Sequence, residues 1–234
     1  MIKVLYNVYM IIFQNIGYTA PWMLIAYLIG SLNFAVIYSR LFRHEDIRDK
    51  GSGNAGATNV RRNYGSHIGY LTGVFDVIKL FFAMLIGFLV KIYFPTFSNI
   101  YLGLIGLAVI IGHMYPIYFG FRGGKGAACL LGFLIVMEWW LLPIGVIAFL
   151  LIIKRWKMVS LGALIAPGIW IASATIFGLI FHYTNVVVIW NLPLANQEPW
   201  WVNIIYLLVA YGLIILKHTP NIKRLISHNE NKIK

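Results

Sequence analysis

The chain has 234 residues, 60% of them hydrophobic and only 11% charged, where a soluble domain carries about 25% charged residues. That deficit excludes an ordinary water-soluble globule and makes lipid the expected solvent. The formal net charge is +12, from 19 Lys and Arg against 7 Asp and Glu. In a membrane chain such an excess sets orientation, binds anionic lipid heads or meets an anionic substrate. With no soluble basic domain to read a duplex, nucleic acid is not an expected partner.

In chain order, the apolar stretch 4–16 comes first. It is too short to span comfortably, since a crossing needs about 20 residues. It also lacks the small-residue cleavage site of a signal peptide, so it is read as retained, extending the first helix or lying in the interface. Spans are predicted at 21–39, 69–93, 99–112, 159–181 and 200–216. Segment 127–153 is long for one crossing, and the basic residues decide how it runs. Arg40, Arg43, Arg48, Lys50, Arg61 and Arg62 precede the second span. Arg122 and Lys125 precede the hard segment, and Lys154, Arg155 and Lys157 follow it. Lys217, Lys223, Arg224, Lys232 and Lys234 close the chain. All four groups belong on the cytoplasmic side, so 127–153 must leave and return, with a break near Glu138-Trp139-Trp140. The prediction is an all-α polytopic bundle, one membrane domain over 1–234, with seven spans including a short broken one. The N-terminus is outside and the C-terminus inside. Residues 182–199 read as an external loop. The single cysteine, Cys129, is expected to be a small buried hydrophobe.

Two loops carry the chemistry. In the first, Gly51-Ser52-Gly53-Asn54-Ala55-Gly56-Ala57-Thr58-Asn59-Val60-Arg61-Arg62, glycines admit unusual backbone angles and successive free N–H groups form an anion nest. Ser52, Asn54, Thr58 and Asn59 add donors, and Arg62 adds a fork suited to phosphate. The second is Gly112-His113-Met114-Tyr115-Pro116 followed by Phe121-Arg122-Gly123-Gly124-Lys125-Gly126. Its glycines and Lys125 open a helix, whose N-terminus attracts anions. Gly51-x-Gly53-x-x-Gly56 matches a dinucleotide fingerprint in letters only, because no strand precedes it. Nor is the second loop a nucleotide P-loop: Phe119 stands where its first glycine belongs, and Gly126 replaces the hydroxyl that would hold magnesium. His44 and Asp49 have an acyltransferase-like spacing that a charged loop produces by chance. Asp76 and Lys79 share a helix face and are read as a mutual pair. A third basic stretch, Lys217-His218-Thr219-Pro220-Asn221-Ile222-Lys223-Arg224, is weak alone. The sequence offers no Cys, His, Asp and Glu set at metal-ligand spacing. An organic-phosphate transporter or flippase is the alternative reading, though such sites lie near the midplane.

Together these motifs resemble those of the bacterial acyl-phosphate:glycerol-3-phosphate acyltransferase family. The likeness lies in Gly51-Ser52-Gly53-Asn54…Thr58-Asn59, in Gly112-His113…Gly123-Gly124-Lys125-Gly126, and in His218…Asn221…Arg224 with Glu230. The chain departs at Thr219-Pro220, where the family usually has Arg-Glu. The resemblance implies transfer of a fatty acyl group from acyl phosphate to the 1-hydroxyl of glycerol 3-phosphate. It implies no cofactor, metal or acyl carrier protein, and a cytoplasmic site on the bacterial plasma membrane. Its matching catalytic positions are Ser52, Arg62, Lys125, His218 and Asn221. Substrate contacts are expected from Gly51, Gly53, Asn54, Thr58, Asn59, His113, Gly123, Gly124 and Gly126, with the second loop's glycines receiving the acyl phosphate.

Overall fold

The structure is a computed structural model that describes residues 2–184 and 199–232; most of the expected external loop lies outside these. The described residues are helical and contain no strand. Ten helices follow in order: α1 Ile2–Gly30, α2 Phe34–Arg43, α3 Ala57–Tyr64, α4 Ser66–Tyr93, α5 Leu102–Met114, α6 Ala127–Glu138, α7 Leu142–Trp156, α8 Val159–Thr184, α9 Trp200–Lys217 and α10 Thr219–Ile226. Residues 4–16 extend α1, the first of their two expected fates.

The predicted span 21–39 is corrected. The chain leaves helical geometry after Gly30 although the apolar run continues, because Asn33 offers a better local bond. Its side-chain oxygen accepts from the Val36 N–H at 3.2 Å and starts α2, and its Nδ2 donates to the Ala55 carbonyl at 3.1 Å. The first loop is thereby tied to the end of α1. Gly30 and Gly112 let α1 and α5 pack almost backbone to backbone; a β-carbon on either would collide with main chain of the other helix.

The expected break in 127–153 is present as a 3₁₀ turn, Trp139–Leu141. Ala128 and Leu131 of α6 line the same groove as Phe149 and Ile153 of α7. On one straight helix Ala128 and Ile153 would stand roughly 38 Å apart, at 1.5 Å per residue, so the segment folds back. Glu138 at the turn is buried, and Trp140 Nε1 donates to its Oε2 at 3.0 Å. By length and composition six described stretches can cross a membrane, with α6 and α7 together forming one of them.

The packed centre joins α4, α5, α6 and α9 through Leu80, Met84, Ile105, Ile110, Phe133 and Ile214. Many other large apolar side chains point outward, among them Phe82, Leu150 and Ile176, as lipid-facing helices require. A small second core of Ala35, Val36, Ile47, Ala55 and Val60 lies under the first loop.

Candidate active site

The first loop is built by one asparagine. Asn59, buried at the start of α3, donates from Nδ2 to the Ile47 and Lys50 carbonyls at 3.1 and 2.9 Å. Its Oδ1 accepts from the Ser52 N–H at 3.0 Å and from Asn63 Nδ2 at 3.2 Å. With both ends of the amide in use, Asn59 shapes the loop that presents Ser52. Arg48 fastens this loop to the second: Nη1 donates to the Phe119 and Arg122 carbonyls at 2.6 and 3.0 Å. The same guanidinium grips Asp46 at 2.7 Å and holds its carboxyl well below the usual carboxylate range.

The three motif regions meet at one end of the bundle around a cavity of about 110 Å³. Ser52, Asn54, Thr58 and Arg62 line it from the first loop and α3, and Lys125 and Gly126 from the second loop. His218, Asn221, Arg224 and Glu230 line it from the end of the chain. Lys125 Nζ donates to Asn221 Oδ1. Asn221 Nδ2 in turn donates to Glu230 Oε1 at 2.9 Å, and Arg224 Nε to Glu230 Oε2 at 2.8 Å. Glu230 thus engages Arg224, while Lys125 and Arg62 keep uncompensated charge in the cavity. Burial, with Arg224 and Arg62 close by, pulls Lys125 down to about 8. His218 contributes differently. Its Nδ1 is 2.8 Å from the Ile214 carbonyl, which can only accept, so Nδ1 carries the proton. Burial lowers the His218 pKa, and in the neutral ring Nε2 is left as the acceptor. Ser160 of α8 adds a buried hydroxyl that has no hydrogen-bond partner among the described residues.

A second charged cluster backs this cavity. Asp76 Oδ1 is 2.8 Å from Lys79 Nζ and 3.2 Å from His113 Nδ1. Lys79 Nζ also lies 2.9 Å from His113 Nδ1 and donates to the Leu32 carbonyl at 3.1 Å. The expected Asp76–Lys79 pair is therefore a triad. Cys129 is buried beside it, and the ligand atoms of Asp76, His113 and Cys129 lie within 4.8 Å of one another. This corrects the reading that no such set exists: three helices bring together what the sequence separates. The Lys79 ammonium already stands against Asp76 and His113, where a metal cation would have to sit.

Five expected catalytic positions, Ser52, Arg62, Lys125, His218 and Asn221, share the cavity lining, as do Asn54, Thr58, Asn59, His113 and Gly126. Gly51, Gly53, Gly123 and Gly124 do not line it. Gly51 and Gly53 turn the loop at φ +57° and +68°. The N–H groups of Gly123 and Gly124 are spent on the Met114 and His113 carbonyls at 3.3 and 3.1 Å, so they form no open nest for a phosphate. His113 faces the triad through Nδ1. His44, the left-handed cap of α2, and Asp49 lie outside the lining. Sequence reasoning missed Ser160 and, though it paired Asp76 with Lys79 and set Arg224 and Glu230 in the third motif, gave none of these three a place in the site.

Two apolar cavities adjoin the polar one. One, about 280 Å³, shares Ala57, Thr58, Ala127, Ala128, Val159 and Ala163 with it. The other, about 670 Å³, shares Ala57, Thr58, Ala128 and Val159. A cation-lined cavity that shares lining with apolar cavities, at one end of a lipid-facing helix bundle, marks a membrane protein whose site joins charged and apolar surfaces. Comparison with known proteins makes the assignment specific. Residues 20–228 match the family model described as glycerol-3-phosphate acyltransferase. The chain is 41% identical to a protein of that name from Mycoplasma mobile, covering 91% of each, and 38% identical to one from Mycoplasmopsis pulmonis, covering 89% and 90%. It is similar to the crystal structure of PlsY (YgiH), an integral membrane glycerol 3-phosphate acyltransferase, in its glycerol 3-phosphate form. The TM-score is 0.72 at 31% identity, over 92% of this chain and 96% of that one. The lysophosphatidic acid form of that structure matches with a TM-score of 0.69. The chain belongs to the glycerol-3-phosphate acyltransferase family and is an integral membrane acyltransferase.

Proposed function

We propose that this chain transfers a fatty acyl group from acyl phosphate to the 1-hydroxyl of glycerol 3-phosphate, giving lysophosphatidic acid and inorganic phosphate. The observation that carries the reading is the junction at Thr58. There the cavity holding Arg62, Lys125 and Arg224 runs into apolar space, so a phosphate and an acyl tail can be held at once. The relatives' shared name supports glycerol 3-phosphate as acceptor.

The substrates bring their own reactivity. The hydroxyl oxygen bonds to the acyl carbonyl carbon, the carbon–oxygen bond to phosphate breaks, and the hydroxyl proton passes to a substrate phosphate. An acyl phosphate is already an activated anhydride, so the step needs no covalent enzyme intermediate, coenzyme A or acyl carrier protein. What remains for the protein is to align two anions that repel each other and to neutralise charge growing on the leaving phosphate. Arg62 and Lys125 suit that work. Asn221 orients Lys125, His218 Nε2 offers an acceptor that orients glycerol 3-phosphate through a hydroxyl other than the attacking one, and Ser52, Thr58 and Ser160 offer hydroxyl donors. The basic residues gathered around this end support a cytoplasmic site in a bacterial plasma membrane, with the N-terminus outside and the C-terminus inside.

The test is direct. Purified protein in detergent or lipid, given acyl phosphate and glycerol 3-phosphate, is expected to release lysophosphatidic acid and phosphate, and none with acyl coenzyme A. Product from the thioester alone overturns the donor assignment. Counterflow of labelled glycerol 3-phosphate across proteoliposomes without acylation would instead favour a transporter.

A further inference from the structure

The smaller apolar cavity is bounded at its far end. Its lining runs from Ala127 to Leu134 on α6 and from Val159 to Trp170 on α8, and it meets Gly145 on α7. At 1.5 Å per helical residue the far end lies roughly 10–16 Å from the polar site. Small residues make the void: Ala128, Ala163, Ala166 and Gly145. Trp170 closes it. Its side chain is the largest of the fully buried ones, and its ring lies so close to Gly145 that a β-carbon there would collide with it. The larger groove is more exposed. It lies between α4 and the α6–α7 pair, and its lining includes Tyr70 and Ile78, 73% and 49% exposed on the lipid-facing side. A tail lying there exchanges one hydrocarbon neighbour for another, and no wall counts its carbons. The smaller cavity opens sideways at Leu131 and Val146, but along its length every added methylene must find room against Trp170, and close packing makes that room scarce.

We propose that Trp170 is the residue that limits acyl-chain length, as the end wall of the compartment that holds the tail. The proposal rests on the reading that acyl phosphate is the donor. Acyl phosphates of graded even length, from decanoyl to stearoyl, are competed against one another on wild type, Trp170→Ala and Ala166→Leu. The profile is read as product ratios within one preparation, so lost folded protein cancels. Trp170→Ala is expected to raise the stearoyl-to-lauroyl product ratio by about tenfold or more, the scale of methylene discrimination in an apolar pocket. Ala166→Leu, which fills the cavity from its side, is expected to lower it. An unchanged profile in both variants overturns the proposal, as does a shift produced only by Gly73→Leu in the lateral groove. If wild type yields no product from any acyl phosphate, the donor reading itself falls and takes the proposal with it; if wild type is active and only the profile fails to move, the donor reading stands alone.

Discussion

Two charged clusters share one end of this bundle and are wired in opposite ways. In the Asp76–Lys79–His113 triad every charge faces a partner within about 3 Å, with the Leu32 carbonyl taking a further Lys79 proton. In the neighbouring cavity Glu230 answers Arg224, while Lys125 meets only a neutral amide oxygen and Arg62 lines the cavity without an ion-pair partner among the described residues. A buried charge matched in place holds helices together; a cavity-lining charge left unmatched, on half-buried Lys125 or exposed Arg62, is held ready for something that arrives. The triad accordingly spans α4, α5 and the break after α1, whereas the unmatched cations sit where polar and apolar cavities join.

The sharpest way to break that comparison is to remove one unmatched cation. Lys125→Ala or Arg62→Ala is expected to lower kcat/KM by about 100-fold or more, the usual loss when one preorganised charge-stabilising group is deleted, with an unchanged melting curve. The converse holds for the triad. Asp76→Asn leaves the Lys79 ammonium buried against neutral groups, an arrangement that costs roughly 3–5 kcal/mol. A large drop in thermal stability in detergent is expected, partly restored by adding Lys79→Met. If Asp76→Asn loses activity while melting like wild type, the division between the two clusters is wrong.

Much of this was readable in the sequence, for definable reasons. Apolar runs of spanning length located α4, α8 and α9, and the alternation of basic loops demanded the turn after Glu138 that folds α6 back along α7. The break after Gly30 escaped because hydropathy continues through it; the polar signal was a single Asn33, whose partner Ala55 lies 22 residues away in another loop. The first loop showed itself through its density of small polar residues, yet Asn59 looked like a ligand when its amide is used up within the loop. Gly123 and Gly124 misled similarly, since glycine composition cannot say whether an N–H is already bonded. The triad was half visible, as an i,i+3 pair, and its third member is contributed by α5 through tertiary packing alone.

A pH profile sharpens the comparison at smaller amplitude. Lys125, pulled down to about 8 by burial and the nearby arginines, is cationic below that pH and loses its proton above it. Because kcat/KM reports the free enzyme, it is expected to fall as pH rises through about 8, measured with glycerol 3-phosphate varied. Lys125→Arg, whatever its residual rate, is expected to remove that alkaline fall, since a guanidinium stays charged. The smallest effect is assigned to Ser160→Ala. The hydroxyl has no partner to lose among the described residues, so stability is expected to hold or rise slightly, while KM for glycerol 3-phosphate increases several-fold, on the scale of about 1 kcal/mol for one neutral hydrogen bond.

The fold-back between α6 and α7 has a consequence for the membrane itself. With 12 and 15 residues, the two helices measure roughly 18 and 22 Å against a hydrocarbon layer of about 30 Å. With the 3₁₀ turn before it α7 comes close to spanning, but α6 alone cannot reach from one headgroup region to the other, so beside it lipid must thin or water must reach inward above Lys125. Either way the boundary between water and oil dips at this spot. A water-soluble acceptor and an oily donor then meet on a shared shoreline, each staying in its own solvent.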